Sequence, residues 1–90
     1  MASNFRISFH RNKHNLQLKL RGDFDGSSCH ELINTIKNKS RHFKIIIIDT
    51  GNLRTVYPFG QAIWEKNFSS LKNTHVRLAF TGAYQDRLSS

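Results

Sequence analysis

Ninety residues make room for one small hydrophobic core and leave none for a second, so the expectation is a single domain over 1–90. A hydrophobic fraction of 38%, one cysteine and no apolar run near the ~20 residues of a bilayer span exclude a disulfide framework, a thiolate metal centre and direct membrane insertion by a helix. Fourteen Lys and Arg against six Asp and Glu give a formal charge of +8, which suits nucleic acid, an anionic membrane surface or an acidic protein as partner, and also serves plain solubility.

Phe5, Ile7 and Phe9 alternate with Arg6, Ser8 and His10, the period of a half-buried strand. Polar residues 11–15 suit a hairpin turn. Leu16, Leu18 and Leu20 then alternate with Gln17, Lys19 and Arg21, a second strand antiparallel to the first. The stretch from Gly22 to Gly26 breaks that pattern. Ser28 followed by Glu31 has the form of a capping box, with Asp25 as an alternative cap. Cys29, Leu32, Ile33 and Ile36 trace one apolar face of a helix that fades near Lys39 and Ser40. Lys37, Lys39, Arg41 and Lys44 gather around its end, where cations complement the helix dipole.

Ile45, Ile46, Ile47 and Ile48 show no polar alternation, which predicts a strand over about 44–48 buried on both faces and closing on Asp49. Thr50-Gly51-Asn52 is expected as a loop, with Leu53 and Val56 tucked into the core. Pro58 fits the first turn of a second helix, where its missing amide hydrogen costs nothing. Phe59, Ala62, Ile63, Trp64, Phe68 and Leu71 mark that helix's apolar face. Asn73 and Thr74 turn the chain into a fourth strand carrying Val76, Leu78 and Phe80, and Ala83 to Leu88 form a helical turn or a frayed end.

The order β-β-α-β-α-β predicts an α/β fold with a mixed four-stranded sheet. Right-handed crossovers put both helices on one face. Arg6, Ser8, His10, Gln17, Lys19 and Arg21 then occupy a solvated, cationic opposite face. The carboxyl edge of the sheet, beyond Asp49, is where ligands and partners dock in open sheets of this kind.

The segment Leu20-Arg21-Gly22-Asp23-Phe24-Asp25 resembles the Gly-Glu-Leu-Asp element of STAS domains, the fold of bacterial anti-sigma factor antagonists and of sulfate-transporter tails. Ile46-Ile47-Ile48-Asp49, with Leu53, Val56 and Gly60, is similar to that family's strand and phosphoswitch loop, and Thr81-Gly82-Ala83 also fits. The resemblance runs from about Phe5 to Leu88. It implies a STAS-like domain with a shortened C-terminal helix, since family members continue through a further helix after the fourth strand.

In antagonists of this family the loop before the second helix reads Asp-Ser-Ser-Gly or Asp-Ser-Thr-Gly. A kinase partner phosphorylates one hydroxyl, and the added charge of about −1.5 to −2 breaks the complex. Here the loop is Tyr57-Pro58-Phe59-Gly60: the glycine is kept, while the acid and both small hydroxyls are gone. Thr55 and Tyr57 are the nearest hydroxyls, and neither holds the usual place. The resemblance therefore implies a non-phosphorylatable interaction module, with Asp25, Thr55, Tyr57, Pro58, Phe59, Gly60 and Gln61 as the partner-binding residues. Its partner is expected to be a protein, either an anti-sigma kinase-like regulator or the ATPase subunit of a membrane lipid-transport complex.

No catalytic constellation stands beside that reading, and no enzyme, cofactor or metal is expected. Asp23, Asp25 and Asp49 can converge on a cation, but aspartates at loops and strand ends more commonly bind backbone amides. His10, His14, His30, His42 and His75 lack the spacing of a zinc pair. Cys29 starts an apolar stripe and is expected as a buried thiol. Nucleic-acid binding through the cationic sheet face ranks third, because no aromatic residues interleave with its basic ones. The N-terminus lacks the apolar segment of a secretion signal, which predicts a cytoplasmic location.

Overall fold

The computed structural model describes residues 4–13, 15–72 and 76–88. Its elements are strand β1 (Arg6–Asn12), strand β2 (Asn15–Phe24), helix α1 (Gly26–Lys39), strand β3 (Ile45–Val56), helix α2 (Pro58–Lys72), strand β4 (Arg77–Thr81) and the turn of helix α3 (Gln85–Leu88). The strands lie in the order β1-β2-β3-β4, with β1 antiparallel to β2 and both other pairings parallel. This is the predicted β-β-α-β-α-β sheet. Helices α1 and α2 pack on each other, so both crossovers lie on one face.

The leucine alternation of β2 puts Leu16, Leu18 and Leu20 under the helices, beside Ile46 and Ile48 of β3. Helix α1 contributes Leu32, Ile33 and Ile36 to the same core. Trp64 of α2 lies at the centre of an aromatic cluster, stacked on Phe68 at 5.5 Å and edge-on to Phe24 and Phe80 at 6.4 and 6.0 Å. Its indole Nε1 donates to the Leu88 carbonyl at 2.7 Å, which fastens α3 to the core. The tail is thus a helical turn with Leu88 fully buried.

Several boundaries differ from expectation, each for a physical reason. The hairpin turn is tighter, because Asn12 pairs with Asn15 and Lys13 takes a positive φ of 27°. His14, the turn at 73–74, His75 and the first three residues lie outside the described residues. Strand β2 continues through Gly22, where the break was expected, and β3 continues through the expected loop at Thr50-Gly51-Asn52 to Val56. Two register shifts make this possible: Lys19 pairs with Asp49 but Arg21 with Asn52, and Gly22 pairs with Leu53 but Asp23 with Thr55. Each shift inserts one extra residue into β3, the signature of a bulge. Arg54 is the extra residue of the second, so it swings outward while Leu53 and Val56 stay buried.

The isoleucine run is not buried on both faces. Ile46 and Ile48 are fully buried, whereas Ile45 and Ile47 are half-buried, because no described segment covers the second face of the sheet. Phe9 points to the helix side, opposite Leu18, yet remains 52% exposed. It overhangs at the edge strand, where the Lys39 ammonium lies 5.2 Å from its ring centroid. No described helix is long and apolar enough to cross a membrane.

Replacing Trp64 with Phe keeps most of the ring packing but strands the Leu88 carbonyl without its indole donor. The expected cost is about 1–3 kcal/mol, read as a lower urea midpoint at unchanged m-value.

Candidate functional site

The ends of β2 and β3 deliver the starts of α1 and α2 to one place. The Tyr57 amide donates to the Phe24 carbonyl at 3.0 Å, and the Tyr57 carbonyl accepts from the Gln61 amide at 3.0 Å, opening α2. Pro58 then supplies the first helical residue, as its fixed φ and missing donor favour. Gly60 is buried, and a Cβ there would sit 2.7 Å from the Phe24 carbonyl oxygen and 2.8 Å from the Asp25 carbonyl. Only glycine lets the two helix starts approach this closely.

Helix α1 begins at Gly26 with Asp25 as its cap, not with the Ser28–Glu31 box. Asp25 has extended backbone angles (φ −106°, ψ −168°), and its Oδ1 accepts from the Ser28 amide at 2.9 Å. The Ser28 hydroxyl is buried and shares its proton between the Asp23 carbonyl at 2.7 Å and Asp25 Oδ1 at 2.9 Å. The Ser28 amide above all holds the Asp25 carboxyl below its ordinary range, and Arg54 does the same for Asp23. Arg54 grips Asp23 with two parallel bonds, Nε to Oδ1 at 3.0 Å and Nη2 to Oδ2 at 2.7 Å.

The two aromatic residues of the loop turn outward. Tyr57 is 45% exposed and Phe59 71% exposed, so Phe59 does not fold under the helix. The Phe59 ring instead lies over Gly26, where an added Cβ would meet it at 2.9 Å, with Ile63 alongside. Exposed Pro58 and Ala62 extend this apolar patch across the first turn of α2. Of the other expected site residues, Thr55 is half-buried in β3 opposite Asp23. Gln61 is spent internally, its Nε2 donating to Glu65 Oε2 at 3.1 Å and weakly to the Arg87 carbonyl at 3.4 Å. The structure thus brings Asp25, Tyr57, Pro58, Phe59 and Gly60 together and sets Thr55 and Gln61 at the margin.

The three aspartates do not converge. Asp23 is taken by Arg54, Asp25 by Ser28, and Asp49 accepts from the Gly51 amide at 2.9 Å. Among the described residues no three His, Cys, Asp or Glu side chains gather as metal ligands. Cys29 is fully buried, and burial pushes its thiol up to about 12. Arg54 and Asn52 escaped the sequence reading because a loop was expected there; the bulges that aim them leave no composition signal.

This architecture defines a class, the STAS-like α/β fold. The anti-sigma factor antagonist SpoIIAA in its unphosphorylated form matches with a TM-score of 0.61, covering 84% of this chain and 70% of its own at 14% identity. Crystal structures of Mglu match with TM-scores of 0.72 and 0.71, over 99% and 84% of this chain at 9% and 10% identity. The chain spans only 28% and 19% of the length of those Mglu chains. No protein-family model and no curated protein matches.

Asp23 and Asp25 both have folded-state values below the ordinary 3.8 that they regain on unfolding. Their contribution is complete above that value and is lost as pH falls through it toward the folded values. Asp25→Ala should cost about 0.5–2 kcal/mol near neutral pH through the lost cap. Its urea midpoint should also fall less steeply than wild type on acidification, because one of the two carboxylates responsible is gone.

Proposed function

We propose that this chain is a non-catalytic protein-binding module of the anti-sigma factor antagonist type, working without the usual phosphoswitch. The observation that carries the reading is the exposure of Phe59 at the first turn of α2, where the resembling family places a phosphorylatable hydroxyl. The likeness of fold to SpoIIAA, itself an anti-sigma factor antagonist, supports the scaffold half of the proposal.

In this reading Tyr57, Pro58 and Phe59 are the anchor, with Gly60 and Asp25 holding the two helix starts in register beneath it. Rigid aromatic groups at the centre of a contact supply most of its binding energy. One edge of the Phe59 ring rests on Gly26, and the Tyr57 backbone is held by its bonds to Phe24 and Gln61, so the loop that carries both rings is already ordered. Arg87, whose carbonyl takes a bond from Gln61 of α2 at 3.4 Å, is exposed beside the patch. The expected partner therefore offers an apolar pocket with an acidic rim. An ATP-binding regulator of anti-sigma type has first place, and a transporter ATPase subunit second. The location that follows from such a partner is the cytoplasm.

Phe59→Asp should leave the circular dichroism spectrum and the urea midpoint nearly unchanged, because the side chain is largely in solvent. In pull-down from host lysate it should deplete one ATP-binding regulator that wild type retains. Capture that survives the substitution removes the loop from the interface. Recovery of a permease with its ATPase selects the transport version instead.

A further inference from the structure

On the uncovered face, where β1, β2 and β3 run side by side, Asn4, Arg6, Arg21, Gly22, Asn52 and Arg54 line an open cavity of about 490 Å³. We infer that this cavity is a binding site for a small phosphate-bearing anion, separate from the aromatic patch.

The backbone builds the site. Arg6 and Arg21 are direct partners across the β1–β2 pairing, and Arg21 is paired in turn with Asn52 of β3. Arg54 arrives because the second bulge turns it outward. Gly22 has a positive φ of 96°, and a Cβ there would collide with the Asn4 carbonyl, so the chain before β1 closes over this end of the sheet. The residues lining the cavity thus come from three strands and the segment preceding them.

Charge gives the site its preference. Like charges placed directly opposite in a sheet destabilise it. Arg6 and Arg21 stand in that relation, and neither makes an ion pair among the described residues. Asp23 compensates Arg54 alone and also takes a bond from the Asn4 side chain. Three guanidiniums against one carboxylate leave two positive charges, the complement of a dianionic phosphate.

Geometry points the same way. A guanidinium has five N–H donors, and the Asp23 pair uses two of Arg54's, leaving three on a group whose orientation is already fixed. A tetrahedral phosphate can spread its oxygens to donors from different strands, and it carries a second negative charge that a carboxylate lacks. The cavity has room for a phosphate and for a small group esterified to it.

The test uses pyrophosphate as probe, with the full chain, by isothermal titration and by thermal unfolding at constant ionic strength. Wild type should bind and gain thermal stability. Arg21→Gln and Arg6→Gln should each weaken binding about tenfold or more, the loss of one charge-assisted contact, while Lys39→Gln, far from the cavity, should not. Without anion at low salt, the two arginine variants should melt at or above the wild-type temperature, because repulsion is relieved. A structural role would lower it. The inference is overturned if sodium chloride of equal ionic strength reproduces the stabilisation, or if the arginine variants bind as wild type does. It is equally overturned if a single-stranded oligonucleotide binds more tightly and loses as much affinity on Lys19→Gln as on Arg21→Gln, which would assign the face to nucleic acid.

Discussion

The junction between the end of β2 and the start of α2 governs the rest of the molecule. Tyr57 donates to the Phe24 carbonyl, Gly60 lies against the Phe24 and Asp25 backbone without a Cβ, and Asp25 caps α1. These three contacts lie within a few residues of one another and fix two helix starts at once. The Phe24 ring, on the same residue whose carbonyl is the acceptor, enters the aromatic core against Trp64 and Phe5. Burial of that ring and the position of the exposed loop are therefore one mechanical unit. A displacement at Gly60 moves the anchor and the core together.

The uncovered sheet face follows a different logic. A sheet with helices on one side needs only one apolar face, and the alternation in β1 and β2 supplies it. The price is a second face carrying Arg6, Lys19, Arg21 and Arg77 with two half-buried isoleucines between. Mixed polar and cationic rows discourage pairing of copies through that face, since like-charged surfaces repel. The bulges of β3 add Arg54 at one end of it. Asp23 offsets Arg54, so the net positive charge at that end comes from Arg6 and Arg21, which the alternation of β1 and β2 places there.

How much of this was legible varies with the range of the interaction. The elements themselves follow from short-range periodicity, as in Leu16, Leu18 and Leu20 for β2, or Cys29, Leu32, Ile33 and Ile36 for α1. Pro58 marked the start of α2 directly. The Asp25 cap was harder, since Ser28 and Glu31 satisfy a capping pattern equally well. The carbonyl of Asp23, brought close only by folding, draws the Ser28 hydroxyl inward. Thr50-Gly51-Asn52 has the composition of a loop and is strand because β2 on one side supplies a ladder that tolerates extra residues. Phe9 fits the inward alternation of its strand, yet exposure depends on how far α1 reaches across the edge, which no local pattern encodes. Within the site, Tyr57, Pro58, Phe59 and Gly60 were legible through resemblance, whereas Arg54 depended on a bulge.

In the proposed reading, Pro58 and Phe59 stand where the resembling family carries small hydroxyls, which changes what a binding surface there can do. A hydroxyl at a helix start can be given about two negative charges, which turns an interface off by repulsion and desolvation. A phenyl ring has no second charge state, so an interface built on it responds only to the concentration of its partner and to the shape of the surface beneath. That surface is held by Gly60 and the Asp25 cap, both of which the fold itself requires. In the proposed role, then, the scaffold positions an anchor where the resembling family positions a switch. In that role the apolar area of Phe59 and Tyr57 would set affinity, and the acidic rim facing Arg87 would set partner choice.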